Sequence, residues 1–254
     1  IYTMRAEQVT RRSVVQPAQR GQIYDRNYDI PLATNVDSFA VTVNPANVPP
    51  DRMSDVLARL SALLGRSAEA MEEELSGAGR GYRDIEVANG ISYDRVVRVA
   101  ERKTELPGVE WHIKPRRTYP YGESIAHVLG YVGDITRQEL QVLFNQGYTA
   151  GSVVGKSGIE LEFDQTLRGK DGIRYRMVDA QGRRVGDSSL ADVPPQQGRN
   201  LVLTIDRSIQ DLAAKALGDR IGSVVVLRPH TGEVLAMVSY PSFDPNRFYE
   251  DGAY

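Results

Sequence analysis

The sequence predicts an α+β protein, in which strand-rich stretches flank a helical insert. Residues 8–45 alternate apolar and polar side chains in short runs, a pattern typical of strands. Residues 46–107 repeat apolar side chains at spacings of three and four, which indicates amphipathic helices. After residue 199 the pattern predicts a strand, a helix and two apolar strands in succession.

The composition indicates a folded chain with no metal or redox chemistry. At 254 residues, with 41% hydrophobic and 25% charged side chains, the chain has room for about two domains and does not resemble collagen or a disordered segment. A net charge of −2 disfavours a general nucleic-acid binder. Without cysteine there is no disulfide, thiolate ligand or cysteine nucleophile, and His112, His127 and His230 lack ligand spacing. We therefore expect neither a metal nor a cofactor.

The first half of the chain combines short strands with three helices. Strands are predicted around Val14, Ile23 and 39–43, with a turn at 25–27. Pro49-Pro50-Asp51 opens a helix that Gly65 closes. A second helix over 67–75, a strand over 84–88 and a third helix over 92–103 complete an α+β subdomain that we place at 46–107.

The second half alternates strands with short helices. A strand over 109–113 leads into the basic run 114–117, which we expect to be a solvated edge. Short helices are predicted over 123–129 and after a capping box at 136–139, and a hairpin turn at 180–182 joins strands over 173–178 and 183–187. Beyond a linker at 194–198, the prediction is a strand over 201–205, a helix over 208–217 and a hairpin over 222–239.

The segment Ala150–Ser157 fits a loose phosphate-loop pattern, with Ala at the first glycine position. A phosphate loop needs a buried strand before it, but a helix end and a loop precede this one. A capping box from Ser157 to Glu160, opening a helix with Ile159, Phe163 and Leu167 on one face, explains the residues better. We expect Ser157 to cap that helix and Lys156 to hold no phosphate.

A serine acyl-enzyme requires a serine three residues before a lysine, and no lysine of this chain has one. The segment His230-Thr231-Gly232 reads as a hairpin turn. Glu160 and Asp164 lie at i, i+4, where a solvated pair is the ordinary reading, and His127 reads as a packed or capped histidine. We therefore expect no catalytic residue in this chain.

Three segments, in order along the chain, carry a family signature. The first is Arg20-Gly21-Gln22-Ile23-Tyr24-Asp25-Arg26-Asn27 with Pro31-Leu32-Ala33, and the second is Arg117-Thr118-Tyr119-Pro120-Tyr121-Gly122 with residues 126–133. The third is Gly155-Lys156-Ser157-Gly158-Ile159-Glu160 with Phe163-Asp164 and Leu167-Arg168-Gly169. Together with residues 231–239, these segments resemble the motifs of class B penicillin-binding proteins, and they cover nearly the whole chain.

The resemblance implies a division into an anchor, a head and the start of a catalytic domain. The elongated, β-rich anchor or pedestal is expected over 1–45 and 108–193, the α+β head over 46–107, and an incomplete transpeptidase domain over 199–254. The insert at 46–107 and the connection 134–154 make the elongation-type members, the penicillin-binding protein 2 group, the nearest likeness. In that family the complete protein cross-links peptidoglycan through a serine acyl-enzyme that β-lactams inhibit, but no catalytic residue can be carried over to this chain.

What can be carried over is a set of motif residues that look structural. Gly21, Gly122 and Gly130 are expected to need a positive φ, while Arg20, Asp25 and Arg26 are close enough in a turn to pair with each other. The full set of structural motif residues is Arg20, Gly21, Asp25, Arg26, Asn27, Arg117, Tyr119, Pro120, Gly122, His127, Gly130, Gly155, Ser157, Gly158 and Glu160.

The resemblance also implies a location and partners. The expected location is the periplasmic face of the bacterial inner membrane, with a single N-terminal membrane helix preceding Ile1. The implied partners are the SEDS-family polymerase RodA and the scaffold protein MreC, with peptidoglycan reached through the domain that follows and no nucleic acid. Arg5, Arg11, Arg12 and Arg20 lie on the side where that helix would enter, so they are candidates to meet anionic headgroups or the polymerase.

Three alternative functions are also compatible with the sequence. The chain could be the pedestal of a division-type transpeptidase, a stand-alone periplasmic interaction module, or, outside the family, a phosphate-loop nucleotide-binding protein. A stand-alone module would leave one apolar face of the hairpin 222–240 uncovered.

Overall fold

Helices and antiparallel strands occur together throughout the structure, a computed structural model, which confirms the predicted α+β class. It describes residues 10–77, 84–149, 151–178, 184–187 and 191–249. The chain divides into two units, each assembled from three stretches. The first unit takes residues up to 16, 37–116 and 172–194, and the second takes 17–36, 117–171 and everything from 195 onward.

The strands are, in chain order, β1 (Thr10–Gln16), β2 (Ile23–Tyr24), β3 (Pro31–Val36), β4 (Phe39–Val43), β5 (Ile85–Ile91), β6 (Val109–Ile113), β7 (Arg116–Thr118), β8 (Val132–Asp134), β9 (Val153–Gly155), β10 (Gly172–Val178), β11 (Arg184–Asp187), β12 (Leu201–Val202), β13 (Gly222–Arg228) and β14 (Glu233–Tyr240). The α-helices are α1 (Met53–Leu64), α2 (Ala68–Gly77), α3 (Tyr93–Glu101), α4 (Ala126–Leu129), α5 (Arg137–Leu143), α6 (Gly158–Glu162), α7 (Asp164–Leu167) and α8 (Arg207–Leu217).

In the first unit, β4 lies between β5 and β6 in an antiparallel sheet, with α1, α2 and α3 contributing to the same core. Helix α1 ends as predicted at Gly65, which adopts the left-handed conformation. Strands β1, β10 and β11 form a separate antiparallel sheet, in which Thr10 pairs with Val178 and Gln16 with Gly172. The predicted turn at 180–182 lies outside the described residues.

In the second unit, the sheet order is β12, β2, β3, β7, and β12 runs parallel to β2. Strands β8 and β9 form a separate two-stranded antiparallel sheet. Helix α6 is the next element along the chain after β9. The core of this unit contains Ile23, Leu32, Ala33, Tyr119, Ile125, Leu129, Leu167 and Ile205.

Helix α8 packs against the antiparallel hairpin of β13 and β14. The buried side chain of Gln210 fixes this packing, since its amide donates to the carbonyl of Met237 at 2.8 Å and accepts from the Met237 amide at 2.8 Å. The predicted turn at 230–232 is confirmed, with Gly232 at φ +76°.

Three predicted elements differ from the structure, and one of them is the helix expected over 123–129, which consists of a 3₁₀ turn at Gly122–Ser124 followed by α4. The helix expected over 158–167 is broken at Phe163 into α6 and α7, and the strand expected over 201–205 pairs only over 201–202. Within the described part of the chain, no helix combines the length and apolar character that crossing a membrane requires.

Candidate functional site

A buried cluster of charges joins the three sequence motifs inside the second unit. Glu160 of the third motif is fully buried, and its two carboxylate oxygens each meet a different arginine. Arg20 Nε of the first motif lies 2.6 Å from Oε2, and Arg117 Nε of the second lies 2.7 Å from Oε1. Arg20 and Arg117 are only 7% and 3% exposed. One carboxylate therefore connects three motifs that are far apart in sequence.

Asp164 adds a second carboxylate to this cluster. Its Oδ1 lies 2.6 Å from Arg20 Nη1 and accepts the Gly155 amide at 2.8 Å, while Oδ2 accepts the Tyr148 hydroxyl. Burial alone would lower the pKa of the Arg20 guanidinium, but the charges of Glu160 and Asp164 outweigh it and raise that pKa above its ordinary value. Burial and the bond to Asp164 raise the pKa of Tyr148 to about 12. Arg20 therefore stays charged and Tyr148 stays neutral at neutral pH.

Backbone groups complete the cluster. Arg117 Nη1 donates to the Gly21 carbonyl at 2.7 Å, Arg20 Nη2 donates to the Glu160 carbonyl at 2.8 Å, and Asn35 Nδ2 donates to the Arg20 carbonyl at 2.6 Å. Each arginine thus binds both a carboxylate and the main chain of another motif. A buried charge needs such a partner of opposite charge, and both guanidinium groups have one. Among the described residues, Arg117 Nη2 alone of the nitrogens on these two guanidinium groups is buried without a hydrogen-bond partner.

Two motif glycines allow main-chain segments to approach each other closely. A Cβ at Gly21 would lie 2.0 Å from the carbonyl oxygen of Arg199, although Gly21 does not have the positive φ that we expected. Gly130 does have it, at +70°, and a Cβ there would lie 2.0 Å from the carbonyl oxygen of Ser157. The structure therefore explains Gly21 by close approach and Gly130 by both close approach and conformation.

The remaining motif glycines fit the same pattern. Gly122 has a positive φ as predicted, and Gly158 packs against the backbone of Gly130. Gly155 ends β9, where its amide reaches Asp164.

The predicted capping box at Ser157 is wrong. Ser157 does occupy the N-cap position of α6 with an extended backbone, but its side chain makes no capping hydrogen bond. The glutamate that would complete the box, Glu160, points instead at Arg20 and Arg117, because the two buried guanidinium groups need an anion there. By contrast, the capping box of Thr136 and Glu139 is confirmed in both of its hydrogen bonds.

Three expectations about exposed charge are also wrong. Glu160 and Asp164 are buried rather than a solvated pair. In the basic run, Arg117 is buried in the cluster, and the buried Lys114 bonds the Glu86 carboxylate at 2.8 Å. Arg20 is buried between its two carboxylates, so it offers no exposed charge to an anionic headgroup or a polymerase. Arg5 lies outside the described residues.

The turn of the first motif contacts the segment that leads into α8. The Asp25 carboxylate accepts the Asn27 amide at 3.0 Å and the Arg207 amide at 3.3 Å. The Arg26 amide donates to the Ile205 carbonyl at 2.9 Å, and its guanidinium lies 3.6 Å from Glu233. The expected pairing among Arg20, Asp25 and Arg26 is therefore wrong, since each of them binds a partner elsewhere in the chain.

The second motif contacts the segment after β14. Tyr119 exchanges two backbone hydrogen bonds with the side chain of Asn246, while the neighbouring Pro120 is exposed. His127 is an exposed side chain whose ring meets Phe243 edge-on at 5.1 Å. Phe248 stacks on Tyr131 at 4.0 Å. Residues 241–249 thus lie against the second motif.

The segment that fits a phosphate-loop pattern forms part of a sheet. Its residues 153–155 are β9, whose backbone pairs with β8, so those amides cannot converge on a phosphate. Lys156 Nζ bonds both carboxylate oxygens of Glu139, at 2.8 and 2.6 Å. This geometry supports the structural reading of the motif.

Sequence reasoning missed several residues of the cluster. Tyr148 and Asn35 belong to the cluster, and Asn246 binds the Tyr119 backbone beside it. All three lie outside the strongest motif positions and have no spacing that could have pointed to them. Asp164 could have been found, because a carboxylate one helical turn from Glu160 is suited to share its cation.

Across the described residues, no three His, Asp or Glu side chains are placed to hold a metal ion. The arrangement fixes three chain segments relative to one another; we assign it no bond-making step.

Comparison with known proteins identifies the family. The penicillin-binding protein dimerisation domain matches residues 15–203. The chain is 35% identical over 260 residues to the peptidoglycan D,D-transpeptidase MrdA of Salmonella typhimurium, covering all of this chain and 41% of that protein. It is 35% identical over 237 residues to MrdA of Escherichia coli K12, with coverage of 91% and 37%, and 34% identical over 230 residues to penicillin-binding protein 3 of Bacillus subtilis, with 91% and 33%.

A solved structure supports the same family assignment. In the complex of penicillin-binding protein 2 and MreC from Helicobacter pylori, a chain superposes with a TM-score of 0.77 at 27% identity, covering 94% of this chain and 44% of that one. The chain therefore spans about two fifths of the relatives that it matches. The motif residues in the buried cluster, the family match and these relatives agree: the chain belongs to the penicillin-binding protein dimerisation domain family.

Proposed function

We propose that this chain is the pedestal of an elongation-type peptidoglycan D,D-transpeptidase, where it positions and regulates the catalytic domain in cross-linking. The chain itself contributes no nucleophile, since no lysine has a serine three residues before it. Its function is to hold the start of the following domain in a fixed arrangement.

The observation that carries this proposal is the pair of contacts between the motifs and residues beyond 200. Asp25 and Arg26 of the first motif hold the entry to α8, and Tyr119 of the second holds Asn246. The same two motifs meet at Glu160. A shift at the buried cluster would therefore reach the elements that open the next domain through short, rigid connections.

The relatives favour a role in cell elongation over a role in cell division. The MrdA proteins cover the whole of this chain or nearly all of it, including the insert at 46–107 and the connection 134–154. The structural match is to penicillin-binding protein 2. We place the complete protein on the periplasmic face of the inner membrane, acting in cell-wall synthesis and cell-shape maintenance.

We further propose MreC and RodA as partners, with peptidoglycan reached through the catalytic domain. The Helicobacter pylori relative was solved as a complex with MreC, which supports the first of these. The test is to measure binding of the purified chain to the periplasmic part of MreC, and separately to reconstituted RodA, at low and high salt. Contacts between exposed charges weaken with salt, whereas apolar docking does not. Absence of micromolar binding to both would reduce the chain to a passive spacer.

Two further experiments test the pedestal role itself. Incubation with a fluorescent penicillin, followed by denaturing electrophoresis, should leave the chain unlabelled, and a hydroxylamine-sensitive band would contradict the assignment. Hydrogen exchange tests the coupling. Glu160→Gln should speed amide exchange within 201–240 as well as around the cluster, while Glu162→Gln, on the exposed face of the same helix, should not. Exchange that stays unchanged in 201–240 for both variants would argue against positioning.

A further inference from the structure

An apolar groove lies between α5 and residues 161–166 in the second unit, apart from the buried cluster's arginines. Its volume is about 660 Å³. One wall is the stripe of α5 and the turn after it formed by Glu139, Val142, Leu143 and Gln146, at the i, i+3, i+4, i+7 spacing of one helical face. We call this feature the α5 groove.

The walls of the α5 groove expose large apolar side chains. Val142 is 74% exposed, Leu161 54% and Phe163 41%, and all three line the same cavity. Tyr148 and Val154 form buried parts of its lining. Contiguous exposed apolar surface that is rimmed by polar residues is typical of interaction sites and binding grooves.

The charge of the groove has one sign. Its lining includes Glu139, Glu162 and Asp164, and no Lys, Arg or His. Glu139 is neutralised by Lys156 and Asp164 by Arg20. Glu162 forms no ion pair with any residue that the structure describes, and its side chain is exposed. An occupant of complementary chemistry therefore combines an apolar face with a cation placed to meet Glu162.

We propose that the α5 groove binds an amphipathic helix of a partner protein, which lays an apolar stripe between α5 and α6 and sets a Lys or Arg against Glu162. Helices commonly dock in this way, with apolar anchors at i, i+3, i+4 and i+7 entering a groove. This interaction goes beyond the pedestal function, because the exposed side chains that would contact the helix, Val142, Leu161, Glu162 and Phe163, make none of the contacts that link the motifs to the following domain.

The test uses the full chain and two labelled synthetic helical peptides. Both peptides carry the same stripe of leucines along one helical face. The remaining positions are Lys in one peptide and Glu in the other. Fluorescence anisotropy should show binding of the Lys peptide and none of the Glu peptide. Leu161→Ser, which adds no charge beside Glu162, should weaken binding at least about tenfold, whereas Leu212→Ser, the same exchange at an exposed leucine on α8, should leave it unchanged. Glu162→Gln should weaken binding several-fold and flatten its salt dependence.

Val142→Ser serves as the second groove variant if Leu161→Ser melts early in circular dichroism. Equal binding of the two peptides, or equal effects of the Leu161 and Leu212 variants, would overturn the proposal. Analytical ultracentrifugation tests whether the occupant is a second copy of the chain. If the chain self-associates and Leu161→Ser abolishes this, the groove accepts a second copy of the chain and the partner-helix proposal is wrong.

Discussion

Asn246 and Tyr119 exchange a reciprocal pair of hydrogen bonds across 127 residues of sequence. The Tyr119 amide donates to Asn246 Oδ1 at 3.0 Å, and Asn246 Nδ2 donates to the Tyr119 carbonyl at 3.0 Å. Asp244 fixes the position of this asparagine, since the backbone N–H and the side-chain Nδ2 of Asn246 both donate to Asp244 Oδ1 at 2.9 Å. One side chain therefore copies the pairing that a neighbouring strand would offer to Tyr119.

Replacing Asn246 by Ala should remove the Oδ1 acceptor that Asn246 offers to the Tyr119 amide. The Tyr119 carbonyl keeps the Gly122 amide as a donor, so the loss is concentrated on the N–H. We expect a decrease in the free energy of unfolding of about 1–3 kcal/mol, together with faster proteolysis within 241–249. Urea denaturation and timed digestion measure the two effects. Asn145→Ala, at an exposed asparagine, should change stability by less than about 0.5 kcal/mol, and equal effects of both variants would contradict this role.

Glu160→Gln should be among the most destabilising single substitutions in the second unit. It removes the anion shared by Arg20 and Arg117 while both guanidinium groups stay buried, and breaking a buried pair in this way costs about 3–5 kcal/mol. Glu162→Gln on the same helix removes an equal charge from an exposed position and should cost less than about 0.5 kcal/mol. Chemical denaturation measures the free energy of unfolding of both variants. A small decrease for Glu160→Gln would contradict this prediction and indicate that solvent reaches the cluster.

Thr136→Ala and Ser157→Ala should differ, although both residues begin a helix. Thr136 accepts the Glu139 amide at 3.2 Å, so its loss should cost about 1 kcal/mol. Ser157 makes no capping bond, so its replacement should stay within about 0.5 kcal/mol. Thermal and urea unfolding of both variants measure the difference, and the opposite ranking would restore the capping role of Ser157.

The pairing of Glu139 with Lys156 predicts a pH dependence. Burial acts to raise the pKa of Glu139, but hydrogen bonds from Lys156 and the Thr136 amide outweigh it and hold that pKa below its ordinary 4.5. A depressed carboxyl pKa stabilises the folded state above about pH 4.5, and this contribution is lost as pH falls through the folded value. Glutamine can still close the capping box, so Glu139→Gln isolates the charge. The stability difference between wild type and variant should be present at pH 7 and shrink below pH 4.5; a difference that grew on acidification would contradict the sign.

Local patterns predicted the helices and most strands, because each depends on residues close in sequence. Apolar spacing located α1 and α3, and Gly65 marked the end of α1. The Thr136 capping box could be read directly for the same reason. The break at Phe163 could not, since the apolar residues 159, 163 and 167 fit one continuous helix equally well.

The burial of charge could not be predicted from local sequence. Arg20, Arg117 and Glu160 each look solvated in isolation, and only their meeting across 140 residues makes burial favourable. Resemblance to a family indicated that these positions were structural, but it did not say which residue binds which. The pairing of Asp25 and Arg26 with the entry to α8 was missed for the same reason.

The interleaving of the two units determines an order of folding during synthesis. Residues 37–116, which contain a sheet, three helices and their own core, form one continuous stretch that can fold before the rest of the chain is available. The second unit must wait, because Arg20 finds its anion only when Glu160 has been translated, and Gln22 finds Asn200 later still. Until then the nascent chain carries two arginines and the apolar residues of β2 and β3 without their partners.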